Sequence, residues 1–199
     1  MKRFAFILAI ALPCIACEQG VASDLTVEKL PAVTPNLPAV PTLPPPPHPV
    51  TYGDGSYTVF GLRKKANITM DTDVEVTAYI VDIYQAPECP KGETCPLPTA
   101  PHLYLADTPD EKEAKNRLTL VGYAENQKQI DEAVADAKRG RYKPPPEETG
   151  LLPVPTDFAV GNKVKLKGRF ARVSGTGFNI SNGLLEYRGH ETLSAVEQP

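Results

Sequence analysis

Alternation of apolar and polar positions is clearest in DVEVTAYIVDIY, residues 73 to 84. Val74, Val76, Ala78 and Ile80 share one face and Glu75, Thr77 and Tyr79 the other, the period-two signature of a half-buried strand. The phase changes near Val81, which predicts a bulge or bend there. HLYLAD, from His102, repeats the pattern with Leu103 and Leu105 on one face, and RLTLVGY, 117 to 123, predicts a third strand. A fourth is NKVKLKGRFARV, 162 to 173, with Val164, Leu166 and Phe170 inward around Gly168. The glycine-rich turn SGTGFNISNG leads to a fifth, GLLEYRGHETL. Ahead of these, SYTVFGLRK alternates and predicts a short leading strand.

Two other patterns interrupt the strands. In ENQKQIDEAVADAKRG the period shifts to that of a helix: Ile130, Ala133, Val134 and Ala137 form one stripe, Lys138 and Arg139 come late, and Gly140 is placed to end it. The loop YKPPPEETGLLPVPTDF carries five prolines, and LPAVTPNLPAVPTLPPPPHPV holds nine between Pro31 and Pro49. Such a run favours extended polyproline II at about 3.1 Å per residue and buries no core, so residues 17–51 read as a disordered tether with a reach of up to ~100 Å. PTLPPPP is alternatively a ligand for an aromatic groove. The folded domain is expected over 52–199.

Three strands, one helix and two more strands, in that order, resemble the OB-fold (oligonucleotide/oligosaccharide-binding), a five-stranded Greek-key barrel. VEVTAYIV, LYLADT and GNKVKLKGRF look like its first, second and fourth strands, and the resemblance covers about residues 72 to 193. The expected fold is therefore all-β with one helix, an OB-like barrel after the tether. An eight-strand sandwich is the competing architecture, and the single helix counts against it.

The N-terminus has a different grammar. Lys2 and Arg3 precede an uncharged run from Phe4 to Ala16, too short to span a bilayer as a helix, which needs roughly 20 apolar residues. That layout is a secretory signal peptide, residues 1–16. Cys14-Ile15-Ala16-Cys17 resembles the lipobox of bacterial lipoproteins. The resemblance implies cleavage before Cys17, a diacylglycerol on its sulfur and an acyl chain such as palmitate on its new amino group. In that family an aspartate after the cysteine retains the protein in the inner membrane. Glu18 stands there instead, which implies an outer-membrane lipoprotein facing the periplasm, with the cell surface as the alternative.

Composition narrows the function. Removing Lys2 and Arg3 from the 21 basic residues leaves 19 against 24 acidic ones, a mature charge of −5. That balance, with export, argues against nucleic acid as the partner. Cys89 and Cys95, in an exported chain, read as a structural disulfide closing a seven-residue loop, worth about 2 to 2.5 kcal/mol. No G-x-S-x-G, H-E-x-x-H or Gly-rich phosphate loop is present, no cofactor is implied, and a non-enzymatic protein is expected.

OB domains bind ligands on the face of strands two and three, between the loops joining strands one to two and four to five. In this chain the resemblance points to Tyr104, Thr119, Val121 and Tyr123, with loops 84–101 and 174–182 containing Phe178 and Asn179. Exposed aromatics there stack on a sugar or base. Lys163, Lys165, Lys167 and Arg169 alternate along the fourth strand and form one basic outer face, suited to an anionic glycan or to solvation of the strand. The expected function is a lipid-anchored binding module for a glycan or an envelope protein. The alternative is a redox or haem-handling protein using Cys89 and Cys95, or His190. A periplasmic haem chaperone family has an OB-fold and a C-terminal histidine, but its histidine-aspartate-glutamate run is absent here.

Overall fold

The computed structural model describes residues 36–37, 43–87, 90, 94 and 97–195. The chain divides into two units after Leu43, and the second unit holds all the secondary structure discussed below. The expected lipidation of Cys17 and the expected Cys89–Cys95 disulfide lie outside the described residues.

Five strands form one mixed sheet: β1 (Thr72–Ile83), β2 (His102–Ala106), β3 (Leu118–Val121), β4 (Lys163–Val173) and β5 (Asn179–Ser194). β1 pairs antiparallel with β2 and β4, β2 with β3, and β4 with β5, while β3 and β5 run parallel. The neighbour order β1-β2-β3-β5-β4 thus returns to its start. Inward positions follow the sequence alternation. Val76, Ala78 and Ile80 of β1, Leu103 and Leu105 of β2, and Leu118 and Leu120 of β3 are fully buried. Val164, Leu166, Phe170 and Leu185 complete the interior from β4 and β5. Each such aliphatic side chain contributes about 1.5 to 3 kcal/mol by leaving water. The phase change in β1 is a register shift between Ile80 and Asp82.

The leading strand predicted over SYTVFGLRK is not there: Val59–Lys64 form a short helix, α1. Val59 and Leu62, three apart, fall on one helical face and are both buried, so their spacing serves a helix as readily as an alternation. The helix is started by a local and a distant group. Thr58 caps it by accepting from the Gly61 amide, and the Asp107 carboxylate accepts from the Val59 and Phe60 amides at 2.7 and 2.8 Å. A second turn, α2, covers Ala66–Thr69, and α3 covers Gln127–Lys138. The expectation of one helix is thus corrected to three α-helices among the described residues, although strands still dominate.

α3 begins at Asn126, whose side chain accepts from the Gln129 amide, and ends before Gly140, which takes φ +65°. Ala133 is its most buried residue. β5 starts four residues earlier than predicted, so Asn179 belongs to a strand and not a turn. Gly183 lets β5 bend there: φ is +88°, and a Cβ would lie 2.3 Å from the Phe170 ring. Folding also reaches back before Tyr52. Thr58 donates to the Pro49 carbonyl, and Val50 packs so closely on Gly61 that no side chain fits between them.

Candidate functional site

β2 turns two residues, His102 and Tyr104, away from the interior, opposite Val121 and Thr119 of β3. Around His102 an aromatic set assembles from three parts of the chain. Tyr84, just past β1, stacks on the imidazole with centroids 4.5 Å apart and planes 19° apart. Tyr104 meets it edge-on at 5.5 Å, and Phe178, from the β4–β5 loop, at 5.0 Å. These are the offset and edge-to-face geometries that aromatic quadrupoles favour. His102 is only 6% exposed, while the other three rings are half-buried and reach the surface.

Hydrogen bonds fix the His102 ring. Its Nδ1 lies 2.9 Å from the Ala100 carbonyl, which only accepts, so Nδ1 carries the proton. Nε2 then accepts from the Tyr104 hydroxyl at 3.3 Å. The β4–β5 loop is held too: the Ser174 amide donates to the Phe178 carbonyl, and the Phe178 amide to the Ser174 hydroxyl. The result is a ring platform with no charged side chain in its contacts among the described residues.

The basic stripe of β4 lies elsewhere on the outer surface, and it is matched. Lys165, Lys167 and Arg169 stand opposite Thr77, Glu75 and Asp73 of β1. Lys165 reaches Asp54 at 3.0 Å and Glu75 at 3.1 Å, Lys167 reaches Glu75 at 3.4 Å, and Arg169 reaches Asp71 at 2.8 Å and Glu186 at 3.4 Å. Hydrogen bonds from Ser56 and Lys165 hold the Asp54 carboxyl at about 2, below the usual carboxylate range. Lys163, the first of the stripe, instead lies 5.2 Å from the ring centroids of Tyr52 and Tyr79, so charge pairing and cation–π contacts together explain this face without a ligand.

A second histidine cluster closes one end of the sheet. The His190 Nε2 donates to the Asp157 carboxylate at 2.7 Å, Thr192 donates to the other oxygen at 2.6 Å, and Nδ1 lies 2.8 Å from the Tyr187 hydroxyl. The bond from His190, more than that from Thr192, lowers the Asp157 carboxyl to about 2. Phe158 packs edge-on against His190, Tyr123 and Tyr187. Both ring nitrogens of His190 are therefore engaged. No three His, Cys, Asp or Glu side chains gather to hold a metal among the described residues.

Of the residues that the sequence singles out, Tyr104 and Phe178 come together in one platform. Asn179 is adjacent, at the start of β5. Tyr123 is separated from them, a correction of its expected place on the outer face: Gly122 takes φ +79°, ends β3 and brings Tyr123 into the core, 5% exposed. Tyr84 and His102 were missed. Tyr84 lies beyond the phase change in β1, and His102 has no histidine partner in the sequence; a histidine two residues before an outward tyrosine was the available signal. Among the described residues no helix is long and apolar enough to cross a membrane. Comparisons of the chain with protein-family models, with curated proteins and with solved structures return no match.

Proposed function

We propose that this chain is a lipid-anchored binding module of the bacterial envelope, tethered through Cys17 and displaying an OB-like Greek-key barrel whose aromatic platform engages a glycan or an envelope protein. One observation carries the binding reading: Tyr84, His102, Tyr104 and Phe178, from three separate segments, converge on the outward side of β2. Rings that stack on one another keep their remaining faces and edges available at little further entropic cost, which suits CH–π and stacking contacts. The strand order returning from β4 to β1 supports the finer barrel reading, since in such barrels this face and its two flanking loops bind ligands. The anchor reading rests on the lipobox-like sequence ending at Cys17.

Two measurements test it. Mass spectrometry of the membrane fraction is expected to find the Cys17 peptide carrying diacylglycerol and an acyl chain; an unmodified, soluble mature chain removes the anchor. In vivo crosslinking is expected to capture a partner or glycan strand with the wild type and to lose it with Phe178→Ala. Capture that survives loss of both Tyr104 and Phe178 removes the platform from the function.

A further inference from the structure

A cavity of about 750 Å³ opens between α3 and the proline-rich segment that follows it, within the size range of small-ligand sites. Its walls are mostly apolar: Tyr123, Ala133, Tyr142, Leu152 and Val154 line it, and Leu151 stands at its mouth 65% exposed. The two tyrosines differ. Tyr142 donates its hydroxyl to the Val154 carbonyl at 3.0 Å. Tyr123 makes no hydrogen bond among the described residues, although it is more than nine-tenths buried. Among the described residues the one side-chain polar atom both sealed and unpartnered is Arg63 Nε, so the Tyr123 hydroxyl stays open to water, and Tyr123 lines this cavity. With no protein partner, that hydroxyl is left to water, which an acceptor on a ligand can replace.

Charge defines the other end. Glu125, Glu132 and Asp136 line the α3 side against Arg141 and Lys143 opposite. Arg141 is already paired with Asp136 at 3.2 Å and Glu132 with Lys128 at 3.7 Å, whereas Glu125 has no ion-pair partner among the described residues. We propose that this cavity is a binding site for a small organic cation, with an apolar body against Ala133, Leu152 and Val154, an acceptor for the Tyr123 hydroxyl, and an amine toward Glu125. Burial raises the pKa of the Tyr123 hydroxyl and keeps it protonated, as the donor role requires. The site is separate from the aromatic platform and does not rest on it.

The test is calorimetric titration of the full chain with 4-methoxybenzylamine, which joins an ammonium, a ring and an ether oxygen that only accepts. 4-Methoxybenzyl alcohol is the neutral comparison. Saturable binding of the amine at one site is expected, tighter than that of the alcohol. Tyr123→Phe is expected to weaken both ligands about three- to tenfold, the value of one neutral hydrogen bond, with a melting temperature unchanged or higher. Glu125→Lys, at an exposed position, is expected to weaken the amine alone. Tyr104→Ala with Phe178→Ala is expected to leave amine binding intact, which separates this site from the platform. Absence of saturable binding at millimolar amine, or equal binding by wild type and Tyr123→Phe, overturns the site. Equal affinity for amine and alcohol overturns the cationic class.

Discussion

The two histidine clusters use nearly the same parts to different ends. His190 lies among Phe158 and Tyr187 and is tied at both nitrogens, one of them to a carboxylate. His102 lies among Tyr84, Tyr104 and Phe178 and is tied to a backbone carbonyl and a tyrosine hydroxyl, with no carboxylate in its contacts among the described residues. In the first cluster Tyr187 belongs to the core and half-buried Phe158 packs against it; in the second His102 is buried but lies outside the core cluster, and the other three rings are half-buried on the outward side of β2. An aromatic that fills a core contributes its whole area to folding. One that leaves an edge exposed holds part of that area for a partner. Residue type does not separate the two roles; position relative to the sheet does.

That contrast is broken most readily by truncation. Tyr187→Ala is expected to cost about 3 to 5 kcal/mol in urea unfolding, as for other buried aromatics. A loss below about 1 kcal/mol would place this cluster outside the core and end the distinction. Asp157→Asn comes next, at about 1 kcal/mol near neutral pH, a charge-assisted bond discounted because the carboxylate is half exposed. It also carries a pH signature. The Asp157 carboxyl lies lower in the folded chain than in the unfolded one, so its contribution is complete above about pH 4 and fades as pH falls toward about 2. Asp157→Asn should flatten the stability profile in that window, and an unchanged profile would show that the His190 bond is not what holds the carboxyl down.

The double variant Tyr104→Ala with Phe178→Ala is expected to cost about 1 kcal/mol or less while abolishing partner capture; a cost above about 3 kcal/mol would make the platform a second core. Smallest of all is the charge ladder. Lys167→Ala is expected to leave the unfolding midpoint within measurement error, since exposed ion pairs are screened and entropically taxed. A clear loss that disappears in high salt would show that the ladder carries more than surface solvation.

Legibility follows the range of the interaction. β1 through β5 and α3 were readable because alternation and helical stripes are written in neighbouring residues. α1 was misread because its start depends on Asp107, nearly fifty positions away, as well as on Thr58. The basic stripe was readable as a stripe, yet its neutralisation was not, because the partners come from the strand paired alongside, Glu75, and from the turn just before it, Asp71. For the platform, Tyr104 and Phe178 were found through resemblance; Tyr84 and His102 needed the fold to bring residues 84, 102 and 178 together.

The sequence by itself determined where the five sheet strands and the helix before β4 lie, because each is set by local periodicity and backbone preference; the proposed tether and anchor likewise rest on local sequence, the proline run and the motif ending at Cys17. Only the tertiary structure decided which aromatics face outward, that Tyr123 crosses into the core after Gly122, and that one histidine is bound to a carboxylate while the other is not. Those outcomes depend on strand pairing and on the ends of loops. Contacts of that kind join residues far apart in the chain, and no window of neighbouring residues contains them.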